Sequence, residues 1–129
     1  MVQRKKPRKT KRKKYSLTAL KVLYFHGAQR CITCRAIEAN TVALLDSLYS
    51  QEKANGKIIY KVVDISKKEN EAIADKYEVT WSSLFVNGWK DGKENVNNMT
   101  EFSFSNARNA PDKFKEGIKS KIDELLKQL

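Results

Sequence analysis

The stretch Lys21-Val-Leu-Tyr-Phe-His-Gly-Ala-Gln-Arg-Cys-Ile-Thr-Cys34 decides the reading of this chain. Lys21–His26 is short and largely apolar, the pattern of a buried strand. A short loop follows, and Cys31–Tyr49 reads as a helix whose apolar face is Ile37, Thr41, Leu44, Leu45 and Leu48. Cys31 and Cys34 are the only cysteines, and they open that helix. A cysteine there lies beside unpaired backbone N–H groups and the positive end of the helix dipole, both of which favour thiolate. Arg30 and Arg35 add positive charge close by in sequence. A thiolate attacks disulfides, and Cys34 one turn away is within reach of the resulting mixed disulfide.

Outward from this stretch the chain alternates strand and helix. Asn55-Gly56 breaks it, and Lys57–Ile65 is rich in β-branched residues and predicts a second strand. Ser66-Lys-Lys-Glu69 has the form of a capping box, with a short helix running to about Tyr77. Ser83–Trp89 and Lys93–Asn98 flank Asp91-Gly92, a hairpin-turn signal. Residues 99–110 read as a polar loop. Pro111 suits a first helical turn, and Phe114, Ile118, Ile122, Leu125 and Leu129 mark a closing amphipathic helix. Strands joined by a helix pair in parallel, so an α/β sheet with helices on both faces is expected.

A strand, a Cys-x-x-Cys at the start of the first helix, a βα unit, a hairpin and a closing helix together resemble the thioredoxin-like superfamily over roughly residues 20–129. The segment Tyr77-Glu-Val-Thr-Trp-Ser-Ser-Leu-Phe-Val-Asn-Gly88 is also similar to the family's stretch that enters its hairpin. The resemblance implies a three-layer fold with a mixed central sheet and a C-terminal hairpin. It also implies a thiol–disulfide oxidoreductase in which Cys31 attacks and Cys34 resolves. Its cofactor would be none beyond the cysteine pair, and its partners would be protein thiols or disulfides and an external redox partner.

Three positions depart from the family. Arg30-Cys-Ile-Thr-Cys34 replaces the common Trp-Cys-Gly-Pro-Cys. The family's buried acid on the first strand falls near Phe25, leaving His26, Glu38 or water to carry a proton. The family's cis-proline aligns with Ser83, where a trans bond is expected because a cis bond before a non-proline residue costs about 2.5–4 kcal/mol. The hydroxyl of Ser83 or Ser82 would then approach Cys31. His26 is weighed as a proton carrier against a structural role. Glu38 is weighed as acceptor of the Cys34 proton against an ion pair with Arg35. Trp81 is weighed as a groove wall against a rim position, and Trp89 reads as a packing residue.

Composition bounds the alternatives. The chain has 129 residues, 40% hydrophobic and 32% charged, which suits one small domain. Its net charge of +11 is uneven: nine Lys or Arg fall between Arg4 and Lys14, and the first acid is Glu38. Residues 1–14 are therefore expected to be a disordered basic arm, and residues 15–129 the folded domain. The arm lacks aromatics for base stacking, so its expected binding is weak, non-specific attraction to polyanions. Two Cys and one His exclude a four-ligand Cys/His zinc site within one chain. No apolar run is long enough to span a bilayer. The run Leu17–Phe25 is short, interrupted by Lys21 and followed by no small-residue cleavage site, so no signal peptide is expected. The compartment stays open: cytoplasmic as the chain is written, extracytoplasmic if a leader has been removed. A monomer is expected. The alternative to an oxidoreductase is a non-catalytic binding or chaperone-like module with a structural Cys-x-x-Cys.

Overall fold

The computed structural model describes residues 18–129. The basic arm, residues 1–14, lies outside them. The central strand β1 is Ala19–His26, two residues longer at its start than its apolar core suggests. It pairs in parallel with β2, Ile58–Asp64, and antiparallel with β3, Ser83–Lys90. The short β4, Lys93–Asn95, completes the hairpin, giving the sheet order β2-β1-β3-β4. Asp91 and Gly92 both adopt positive φ, 54° and 81°, as the tight hairpin turn requires.

Helix α1 spans Ile32–Leu48, with Cys31 as its N-cap. The buried face holds Ile37, Thr41, Leu44 and Leu45 as expected, but Leu48 is exposed and Tyr49 enters the core in its place. A further short helix, α2, Ser50–Ala54, precedes β2. The capping box does not form. Ser66 donates through its hydroxyl and its N–H to Asp64 Oδ1, at 2.6 and 2.9 Å. The acid two residues back thus captures Ser66, and a 3₁₀ turn at Lys68–Asn70 leads into α3, Glu71–Lys76.

Residues 99–110 also depart from expectation. They contain α4, Thr100–Asn106. Its buried stripe is interrupted by Ser103, which is fully enclosed because its hydroxyl donates to the Met99 carbonyl at 2.6 Å. Helix α5, Pro111–Gln128, begins at the proline. It approaches α4 closely at Gly117, where any Cβ would overlap the Phe102 ring.

Two cores cover the two faces of the sheet. On one face Leu20, Val22, Tyr24, Leu84 and Val86 pack against α1 and against Phe114, Ile118, Ile122 and Leu125 of α5. On the other, Leu23, Phe25, Val63 and Phe85 pack against Ala74, Val79 and partly buried Ile73 and Tyr77 around α3. A three-layer α/β sandwich results, with the end of β1 delivering the chain directly to Cys31. No helix among the described residues is long and apolar enough to cross a membrane.

Candidate functional site

β1 ends at His26, which lies level with Asp64 of β2, while Phe25 lies opposite Ser83 of β3. The loop from Gly27 to Arg30 rises from this end of the sheet and places Cys31 at the N-cap of α1. Cys31 is exposed and Cys34 is buried, and both thiols are free. The Cys34 N–H donates to Cys31 Sγ at 3.1 Å. A hydrogen bond from the Cys34 side chain, with those from the Cys34, Thr33 and Cys31 N–H groups, holds Cys31 below the ordinary thiol range against the opposing effect of burial. The thiolate-favouring environment therefore comes from local hydrogen bonds at the helix start. Neither arginine is among its causes.

Arg30 is committed elsewhere. Its guanidinium pairs with Glu38 on α1 and also donates to His26 Nε2 at 2.9 Å. Because arginine only donates, His26 Nε2 must accept. Nδ1 then carries the proton and donates to the Gly27 carbonyl at 2.7 Å. Both imidazole nitrogens are thus occupied, and Glu38 is ion-paired with Arg30 rather than Arg35. This cross-link ties the end of β1, the loop and the second turn of α1 into one unit. Arg35 stays exposed and lines a polar surface hollow with Ala28, Gln29 and Arg30.

The Ser83 hydroxyl has an acceptor other than Cys31. It donates to the Trp81 carbonyl at 3.1 Å, satisfying the hydroxyl within its own turn. No peptide bond among the described residues is cis, so the bond before Ser83 is trans. Ser82 is buried beside it. Trp81 is 61% exposed and stacks on Phe104 of α4, ring centroids 5.1 Å apart and planes 16° apart. These two rings wall an open groove with Asn98, Thr100, Glu101 and Ser105.

Tyr24 and Phe104 carry weight that the sequence reading missed. The Tyr24 hydroxyl, buried in the core, donates to the Cys34 carbonyl at 3.0 Å and so anchors the first turn of α1 to β1. Its position two residues before His26 puts both rings on one sheet face, a signal present in the sequence. Phe104 carries no such signal, because polar residues interrupt the apolar pattern of its helix.

Neither a family model nor a curated protein sequence matches the chain. Among solved structures, the thioredoxin of Fasciola hepatica aligns at 22% identity over 93% of each chain, with a TM-score of 0.53. A malarial protein aligns at 19% identity over 64% of this chain and 82% of its own, with a TM-score of 0.44. The sheet order, the layers and the first of these alignments agree: this chain has the thioredoxin-like fold, with a Cys-x-x-Cys pair opening its first helix.

Proposed function

We propose that this protein is a thiol–disulfide oxidoreductase acting on protein disulfides. The observation that carries the proposal is the pairing of an exposed, thiolate-favoured Cys31 with a buried Cys34 one helical turn behind it. The Cys31 thiolate attacks one sulfur of a substrate disulfide, and the substrate S–S bond breaks. The departing substrate thiolate takes the proton of Cys34. The Cys34 thiolate then attacks Cys31 Sγ, releasing the second substrate sulfur, which is protonated from water. The substrate gains two electrons and the Cys31–Cys34 pair becomes a disulfide. An external dithiol must return those electrons for turnover.

His26 and Glu38 serve as positioning residues in this scheme, since both are held by Arg30. Trp81 and Phe104 offer the flat apolar surface for substrate chain. The test is alkylation rate against pH on reduced protein, with the label located by mass spectrometry. Reaction at Cys31 with an apparent pKa below the ordinary 8.5, and protection of Cys34, is the expected result. Ordinary titration or inertness of both cysteines would sink the proposal and leave a binding module on this fold.

A further inference from the structure

The redox end is not the only built feature of the sheet. Helix α3 covers only part of its face, and the uncovered part holds a groove of about 400 Å³ lined by Lys21, Leu23, Lys61, Ile73, Lys76, Tyr77 and Trp89. The floor is apolar, and the charged groups among the lining residues are all ammonium groups. Lys21 Nζ lies 4.8 Å from the centroid of the Trp89 ring and Lys76 Nζ 5.0 Å from it, so two ammonium groups share one indole. Lys76 Nζ is also 5.2 Å from the Tyr77 ring.

The charges here are under-balanced. Glu94 is the acid at the edge of the cluster, 3.5 Å from Lys76, and it already accepts from Tyr77 and from Asn87 at 3.0 Å. Among the described residues neither Lys21 nor Lys61 has an ion-pair partner. Partial burial holds Lys21 below the ordinary lysine range, with Lys61 and Lys76 adding to the effect and Glu94 opposing it. A second observation is independent of charge: the Trp89 Nε1–H is buried and has no acceptor among the described residues. Buried donors without acceptors are rare.

We infer that this groove is a second ligand site, which takes a small amphipathic organic anion: an apolar body on Leu23, Ile73 and Trp89, with a carboxylate, sulfonate or phosphate among Lys21, Lys61 and Lys76. The size favours a small molecule over a polypeptide, because the groove falls in the range of small-ligand pockets and its floor is apolar. The site is separate from the dithiol. Lys21 lies five residues from the His26 end of β1, roughly 17 Å along the strand.

The probe is 8-anilinonaphthalene-1-sulfonate, added to the full chain labelled with nitrogen-15. The control is N-phenyl-1-naphthylamine, the same body without the sulfonate. The two indole N–H resonances, Trp81 and Trp89, are assigned with Trp89→Phe. The expected result is a saturable shift of the Trp89 indole resonance with the sulfonate probe, and binding at least 10-fold weaker for the neutral control. Lys61→Gln, an exposed substitution, should weaken the sulfonate at least 3-fold, and Arg35→Gln should leave it unchanged. A motionless Trp89 resonance, equal binding of the neutral control, or indifference to Lys61→Gln would each overturn the inference. So would poly-glutamate that displaces the probe from Trp89 at lower concentration than any amphipathic anion, since the groove would then be an acidic-peptide surface.

Discussion

Cys31 owes its character to donors within three residues of it. The first is the Cys34 side chain, and the rest are backbone N–H groups that no side-chain substitution removes. The two kinds of donor are separable by experiment. Cys34→Ala removes the side-chain donor, so the Cys31 titration should move up toward the ordinary thiol value while stopping short of it. Cys34→Ser keeps an O–H donor and should move it less. Alkylation of each variant across pH reads the order wild type, serine, alanine. An alanine variant titrating with the wild type would show that the backbone alone sets the shift. Tyr24 gives a second residue-level expectation. Tyr24→Phe deletes the 3.0 Å bond to the Cys34 carbonyl and should cost about 1 kcal/mol, seen as a lower urea midpoint at unchanged slope.

Among the elements, α4 and α5 show how one glycine serves two helices. Gly117 sits in the middle of α5, where glycine is about 0.5–1 kcal/mol worse than alanine on helix propensity alone. Here the Phe102 ring occupies the space a methyl would need, and that ring is stacked on Phe114 with centroids 6.3 Å apart. Overpacking costs about 1–3 kcal/mol and so outweighs the propensity gain. Gly117→Ala should therefore lower the thermal midpoint. A rise would mean that Phe102 moves aside freely. The same contact explains what the sequence concealed. Elements with a continuous apolar stripe or a turn signal were legible: β1, β2, α1, the Asp91-Gly92 hairpin and α5. Helix α4 was not, because buried Ser103 breaks its stripe and its N-cap residue, Met99, has no side-chain cap. The capping box expected at Ser66 does not form because two acids compete for the Ser66 N–H, and the nearer, Asp64, holds it together with the hydroxyl. At the site, the cysteines were legible from spacing and placement. The Arg30 cross-link was not, because choosing Arg30 over Arg35 as the partner of Glu38 depends on the path of the loop through space.

For the molecule as a whole, the phenols set an alkaline limit. Tyr24 is pushed up to about 12, first by burial, then by Cys34 and Glu38. Burial also raises Tyr49, Tyr60 and Tyr77, aided at Tyr49 and Tyr77 by hydrogen bonds to Asp123 and Glu94. Each folded-state value lies above the unfolded value near 10. Their contribution to stability is therefore fully present below about pH 10 and is lost as pH rises through the folded values. Tyr60 isolates this effect. Its hydroxyl is buried with no hydrogen-bond partner among the described residues, so removing it sacrifices no bond. Tyr60→Phe should leave the urea midpoint at pH 7 unchanged or raised, because an unsatisfied buried hydroxyl is replaced by a hydrogen. Between pH 10 and 12 the variant should hold its midpoint better than the wild type, because one phenol no longer has to ionise out of the core. A midpoint already lower at pH 7 would mean that the hydroxyl has a partner. Identical loss in both proteins above pH 10 would place the alkaline limit in the other tyrosines or in the lysine ion pairs.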